Sequence, residues 1–305
     1  MGAVKPFFRW LGSKAGLTDH IIALMPEKID TYYEPFFGSG AVFLALAETG
    51  RIEQAVLGDG NPDVAQTIEA VRDDPHGVIS ALADINRELN RIRLNAPRAA
   101  AFYALARTRI REKADPPRLA ALFLFLNQTA FNGLWRVNRA GDMNAPPDGA
   151  RLAAWHPDPE PIKEASRLFK KCRASVHYGD FSQTIGPAIR SPSRRSALYL
   201  DPPYLSETSS GFVSYTSEPF RAGDFIDMMV LVEQAVRNGS RVVLSTSSHI
   251  QALSTLWAMV AEEQLPGAYI QTIQAHRRVA AGSEHRGYRG EILFAAGPRD
   301  GTWRA

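Results

Sequence analysis

Thr31-Tyr32-Tyr33-Glu34-Pro35-Phe36-Phe37-Gly38-Ser39-Gly40 is a short β-prone run that stops at a proline and two glycines, and the stretch Ala41 to Glu48 behind it is built of apolar helix formers. A strand that enters a helix through a glycine turn is one βα unit. A second follows at once. Gln54-Ala55-Val56-Leu57 reads as a strand, Gly58-Asp59-Gly60-Asn61 stops it, and Pro62 suits the first position of a helix, where its missing N–H is not needed. Two βα units in succession predict an α/β fold with a parallel sheet.

Working outward, Asp63 to Asn127 is helical in pattern with no strand, and Asn127 to Asp158 is a polar, glycine- and proline-rich loop. A loop that long is expected to be functional. Strand character returns at 174–178 and 197–200, a helix is predicted over Phe225 to Val236, and a strand at Arg241-Val242-Val243-Leu244. The last two strands, Tyr269 to Ile273 and Glu291 to Phe294, are joined by a Gly/Arg-rich stretch without helical period, so they are suited to antiparallel pairing. The sheet is thus split by a helical insertion, with an expected partition into 1–62, 63–158 and 159–305. The length of 305 residues agrees, being about twice the usual single-domain figure of roughly 150.

With 45% apolar and 22% charged residues, composition excludes a disordered chain, a collagen and a coiled-coil rod. The single cysteine, Cys172, excludes an intramolecular disulfide and a multi-cysteine metal cage. The seven histidines show no His-x-x-x-His spacing, so no metal is expected. Met1-Gly2-Ala3-Val4-Lys5-Pro6 lacks an apolar signal stretch, and no run approaches the roughly 20 apolar residues of a membrane helix; a cytoplasmic protein without membrane partners is expected. The net charge of +3 names no partner, but its distribution is informative. Between Arg87 and Arg118 stand nine basic residues (Arg87, Arg91, Arg93, Arg98, Arg107, Arg109, Arg111, Lys113, Arg118) against three acidic ones. Such a block is either a polyanion-facing surface or a solvated helix face. Arg107, Arg109 and Arg111 alternate too closely to share one helix face, so at most two of them are expected to touch phosphate.

The turn Phe37-Gly38-Ser39-Gly40 offers free backbone N–H groups to a nucleotide cofactor, or is simply a tight turn. The third glycine of a dinucleotide fingerprint is replaced by Phe43, which disfavours NAD. Asp59, at the next strand end, is placed to hold ribose hydroxyls or to cap a helix. Tyr199-Leu200-Asp201-Pro202-Pro203-Tyr204 is chemically more specific. Two prolines remove two N–H donors and leave carbonyls beside a carboxylate and an aromatic ring, a set that accepts hydrogen bonds from a planar amino group while the ring stacks on its base. Taking both amino hydrogens draws the nitrogen lone pair out of conjugation and aims it at an electrophile. Ser245-Thr246-Ser247-Ser248 ends a strand and either lines that site or caps the following helix.

These stretches, in order along nearly the whole chain, resemble the Dam-type (alpha group) N6-adenine DNA methyltransferases. The resemblance rests on Lys5-Pro6-Phe7-Phe8-Arg9-Trp10-Leu11-Gly12-Ser13-Lys14, Glu34 to Gly40, Asp59-Gly60-Asn61 and Phe125-Leu126-Asn127. It continues through Phe131-Asn132-Gly133-Leu134-Trp135-Arg136-Val137-Asn138, Gly141, Asn144, Gly179-Asp180-Phe181 and Asp201-Pro202-Pro203-Tyr204. It departs at Phe131, Gly60 and Ala145-Pro146-Pro147-Asp148.

The resemblance implies the S-adenosylmethionine-dependent methyltransferase fold, a mainly parallel sheet with a reversed last strand, carrying a helical target-recognition insertion. It implies S-adenosylmethionine as cofactor, contacted by Trp10, Lys14, Phe37, Gly38, Gly40, Asp59, Asp180, Phe181 and Asp201. The target adenine would be held by Asp201, Pro202, Pro203 and Tyr204, and double-stranded DNA would be met by Phe131, Asn132, Leu134, Arg136 and Asn138. The expected reaction is sequence-specific methylation of adenine N6 on a flipped base, by a monomer or weak dimer, alone or beside a restriction enzyme. A methyltransferase for RNA or a protein amide is the second enzymatic reading, and a DNA-binding protein that keeps the cofactor only as a ligand is the third.

Overall fold

The computed structural model describes residues 4–138, 140–191, 193, 195–203, 220–247, 250–261, 265–277 and 287–298. After a short helix α1 (Thr18–Ala23), the chain alternates β1 (Ile29–Glu34), α2 (Ala41–Glu48), β2 (Ile52–Asp59) and α3 (Pro62–Asp73). Four further helices follow before the next strand-bearing stretch: α4 (Pro75–Asn90), α5 (Ala96–Arg109), α6 (Pro116–Thr129) and α7 (Gly149–Ala154). The chain then runs α8 (Glu160–Lys171), β3 (Ser175–Tyr178), α9 (Phe181–Arg190), β4 (Ser196–Leu200), α10 (Ala222–Arg237), β5 (Arg241–Ser247), α11 (Ile250–Ala261), β6 (Tyr269–Arg277) and β7 (Gly287–Ala296).

The helices between the two sheet halves share a start signal. Asn61, Asp74, Asn95 and Asp115 each accept backbone N–H bonds at the opening of α3, α4, α5 and α6, and each of these helices has proline in its first two positions. Such a cap satisfies donors that the helix itself leaves free, and is worth about 1 kcal/mol. α6 is the centre of this unit. Every residue from Ala120 to Asn127 is buried, the pattern of a helix enclosed on all sides. Its Phe125 packs edge-on against Phe102 and Trp155, with ring centroids 5.7 and 4.9 Å apart.

The seven strands lie in the order β3-β2-β1-β4-β5-β7-β6. Pairs β1–β2, β1–β4, β2–β3 and β4–β5 are parallel, while β7 runs antiparallel to both neighbours. This is the mainly parallel sheet with a reversed last strand. Successive strands step outward from β1 to β3, then return beside β1 with β4, so the order reverses between β1 and β4. Ligands of open α/β sheets bind at the carboxyl ends of strands at such a switch point. Here those ends carry Glu34 and Asp201.

The loop of 127–158 is less open than its composition suggests. It contains α7, and between α6 and α7 a hairpin closes through the pairing of Val137 with Met143. Side chains alternate along it: Trp135 and Val137 are buried, Leu134 and Arg136 half-buried and Asn138 exposed. Among the described residues no helix is long and apolar enough to cross a membrane.

Candidate active site and nucleic-acid interface

The glycine turn needs its glycines. Gly38 and Gly40 have φ of +51° and +68°, in the left-handed region that a Cβ disfavours. A Cβ at Gly40 would sit inside the ring of Phe37, and one at Gly38 would lie 2.9 Å from Cδ1 of Trp10. Trp10 therefore lies against the turn, and Ser13 Oγ meets Ser39 Oγ at 2.8 Å on the same segment. Phe37 supports the turn from the core side, buried against Phe43 and Phe169.

Asp59 ends β2 beneath this turn. Its Oδ2 accepts from Gly38 N at 2.9 Å and its Oδ1 from Asn61 N at 2.8 Å. Burial pushes its carboxyl up to about 6, with the two backbone N–H groups working against the rise. An ionised carboxylate has about four acceptor positions, so each oxygen retains capacity for a hydroxyl. One strand further out, exposed Asp180 caps α9 by accepting from Ser182 N, and Phe181 forms an aromatic group with Phe36 and Phe220, centroids 5.8 to 6.2 Å apart.

Asp201 stands at the switch point. Its side chain is 20% exposed and is bound by the Lys14 ammonium, itself 5% exposed, at 2.7 Å to Oδ1 and 2.9 Å to Oδ2. Lys14 also donates to the Gly12 carbonyl at 2.8 Å. Burial pushes the Asp201 carboxyl up; Lys14 and a hydrogen bond from Ser245 pull it back, and Glu291 adds to the rise. Neighbouring Glu34 is buried and accepts from Tyr32 OH at 2.9 Å. Burial holds its carboxyl well above the usual range, with Asp201 and Asp59 contributing. Pro202 is buried and Pro203 exposed. Tyr204 lies outside the described residues, as does most of the Gly/Arg-rich stretch between the last two strands.

Lys14, named by sequence among cofactor contacts, is thus brought to the carboxylate expected to hold the target amine. Ser245 was open to two readings. Its hydroxyl donates to Asp201 Oδ1 at 3.0 Å, so of the stretch Ser245 to Ser248 this residue lines the site, while Ser248 lies outside the described residues. Tyr199, Glu34 and Glu291 were missed as members of this cluster. The period-2 alternation of strands, which sets Tyr199 and Asp201 on one face, was the available signal.

The residues expected at DNA fall on one hairpin. Phe131 is 53% exposed, and Asn132 and Gly133 have φ of +55° and +66°. Arg136 Nε donates to Asn144 Oδ1 across the hairpin at 2.8 Å, and Asn138 Oδ1 accepts from Ala140 N and Asp142 N at the tip. The basic block is partly committed to bracing this element. Arg107 donates to the Met143 carbonyl, while Arg111 joins Asp63 of α3 to the Gly141 carbonyl. The N-terminal segment is bound to the insertion as well: Asn127 accepts from Arg9 N at 2.9 Å and donates to Arg9 O at 2.8 Å, and Gln128 donates to Phe7 O. Among the described residues no group of three or more His, Cys, Asp or Glu is arranged to hold a metal ion.

Comparison with known proteins adds a second line. Residues 10–263 match the family model of the D12 class N6 adenine-specific DNA methyltransferases. The chain is 31% identical over 296 residues to the Type II methyltransferase M1.LlaDCHI of Lactococcus lactis subsp. cremoris, covering 95% of this chain and 94% of that one. It is 29% identical over 264 residues to the Type II methyltransferase M.MjaIII of Methanocaldococcus jannaschii, covering 83% and 88%. It is 27% identical over 300 residues to a DNA adenine methylase of Haemophilus influenzae, covering 97% and 94%.

Proposed function

The chain belongs to the D12 class of N6 adenine-specific DNA methyltransferases and methylates adenine in DNA, and we propose that it does so with S-adenosylmethionine, on an adenine flipped from duplex DNA to Asp201. The observation that carries this reading is the Asp201 carboxylate, partly exposed at the switch point next to a glycine turn on which no Cβ fits.

The residues present fit the cofactor. The Gly38 and Gly40 N–H groups, expected to be free, are taken by Asp59 Oδ2 and the Phe37 carbonyl, so the turn offers its shape and the Trp10 ring laid against it, while Asp59 retains acceptor positions for ribose hydroxyls. Trp10, Gly38, Gly40 and Asp59 would hold it, with Asp180 and the aromatic group of Phe36, Phe181 and Phe220 at its base. When bound, S-adenosylmethionine supplies an already activated methyl group. What remains for the protein is to orient the adenine amine and exclude water. Asp201 and a carbonyl of the Pro202-Pro203 turn accept its two hydrogens and direct the nitrogen lone pair, and the proton freed by methylation passes to Asp201 or to water. Flipping the base costs a few kcal/mol, which stacking on Tyr204 and the bonds at Asp201 offset.

The insertion of 63–158 takes the duplex. We assign Phe131 to the gap left by the flipped base and Asn132, Leu134, Arg136 and Asn138 to the base edges. Arg136→Ala should relax specificity at one base pair by about 1–3 kcal/mol. Arg111→Ala should instead loosen the hairpin, lowering thermal stability and binding to all sequences together, because it leaves buried Asp63 without its cation. Methylation rates over single-base variants of the site, with melting curves, separate the two; equal slowing of every variant by Arg136→Ala would make Arg136 a phosphate anchor.

Asp59 gives a pH-dependent prediction. It must be ionised to accept two ribose hydroxyls, and in the free protein it takes a proton as pH falls through about 6. Cofactor affinity should therefore be full above that value and fall up to about tenfold per unit below it. Asp59→Ala should weaken cofactor binding far more than DNA binding. Calorimetry finding unchanged cofactor affinity would return Asp59 to holding the turn alone.

The whole reading is tested by transfer of labelled methyl from S-adenosylmethionine to duplex DNA, RNA and protein side by side, and by mapping N6-methyladenine in DNA from cells expressing the chain. Label entering RNA or protein in preference to DNA would overturn the proposed substrate.

A further inference from the structure

We propose that Tyr199 and Ser245 are positioning residues for methyl transfer: their hydroxyls form a buried relay that fixes the Asp201 carboxylate in the orientation the target amine requires. This rests on the reading of Asp201 as the acceptor of that amine. Tyr199 and Asp201 are two apart on and just beyond β4, so their side chains leave one face of the sheet. The β4–β5 register pairs Leu200 with Leu244, which sets Ser245 beside Asp201. Ser245 Oγ lies 3.0 Å from Asp201 Oδ1, and Tyr199 OH lies 2.7 Å from Ser245 Oγ.

The direction of the relay follows from proton count. A serine hydroxyl has one hydrogen, and a carboxylate can only accept, so Ser245 donates to Asp201 and Tyr199 donates to Ser245. Lys14 supplies charge to the same carboxylate, yet an ammonium with three rotatable donors bound to both oxygens defines its rotation weakly. A single directional donor on Oδ1 defines it better and leaves Oδ2, which among the described residues accepts only from Lys14, a lone pair for the target. Both hydroxyl residues are buried, where phenylalanine and alanine would pack without the cost of desolvating polar groups. The neighbouring strand repeats the spacing, with Tyr32 OH donating to Glu34 two residues on, but Glu34 is buried and reaches no opening. Of these two arrangements among the described residues, the one on β4 and β5 ends on a partly exposed carboxylate.

Among the described residues the charged groups facing Asp201 are Lys14, Glu34 and Glu291. With these unchanged, removing Ser245 deletes one donor to the ionised form, so Asp201 binds a proton more readily and the acid limb of the rate profile moves to higher pH.

The test is the single-turnover methylation rate of full-length protein at saturating S-adenosylmethionine and duplex DNA, from about pH 6 to pH 9. Ser245→Ala should lower the rate about ten- to a hundredfold, move the acid limb upward and leave cofactor affinity within about threefold. Ser245→Thr, which retains the hydroxyl, should recover most of the rate. Tyr199→Phe, which removes one oxygen from a buried ring, should lose several-fold with the same shift and keeps the test open if Ser245→Ala folds poorly. Rates within about twofold of wild type for both Ser245→Ala and Tyr199→Phe, or losses with an unmoved acid limb, would overturn the relay. Asp201→Ala measured alongside separates the failures: if it is inactive while the relay variants are normal, only the relay falls; if it is active, the reading of Asp201 falls first.

Discussion

Asp201→Ala is expected to lose at least a hundredfold in single-turnover methylation of duplex DNA, the loss that removal of one preorganised transition-state contact of about 3 kcal/mol produces. The substitution removes the partly exposed acceptor at the switch point and takes the neutralising carboxylate from the buried Lys14 ammonium, which keeps the Gly12 carbonyl. An uncompensated buried charge is destabilising, so Asp201→Asn is the better companion. It keeps the shape and one acceptor, offers Lys14 a carbonyl, and turns an NH2 toward the incoming amine. Both variants should still bind DNA. Retention of more than about a tenth of the wild-type rate by either, with normal melting, would remove Asp201 from the chemistry.

Lys14→Met should be nearly as damaging at neutral pH and should differ in kind. Burial already pushes the Asp201 carboxyl up, and Lys14 is the first influence opposing it. Without the ammonium the carboxyl rises further, a larger fraction is protonated at neutral pH, and the protonated form cannot take a second hydrogen from the amine. Activity should therefore fall near neutrality and recover in part as pH rises. An unmoved profile would mean that Lys14 acts on the cofactor, as the resemblance implied, and not through Asp201.

What was legible before the structure follows from sequence distance. The first two βα units lie in one contiguous stretch, and Ala41–Glu48 and a helix starting at Pro62 are found where local signals put them. The caps of α4, α5 and α6 repeat the Asx-then-proline signal of α3, so the insertion was readable in more detail than helical periodicity alone provides. The pairing of Lys14 with Asp201 spans 187 residues and that of Ser245 with Asp201 spans 44, and neither has a local signature; both depend on which strands become neighbours. Charge counting had a different limit. The block from Arg87 to Arg118 reads as a basic surface, but Arg107 and Arg111 bond into the hairpin that follows, because a guanidinium satisfies carbonyls and carboxylates as readily as phosphate. The loop of 127–158 was misleading in its glycines and prolines, which here close a hairpin and precede α7.

The paired hydrogen bonds between Asn127 and the Arg9 backbone, with Gln128 on Phe7 and the ring of Phe8 against Phe123, set a limit on engineering. The segment grasped by the insertion is the one that carries Trp10 to the glycine turn and Lys14 to Asp201. On the proposed assignment of 63–158 to the duplex, recognition is therefore not a detachable cassette. A chimera that exchanges 63–158 between relatives without residues 7–14 would join mismatched halves of this grip, and its failure would register in catalysis before any change of target site was seen. Grafts that move the two segments as one unit are the ones with a route to new specificity.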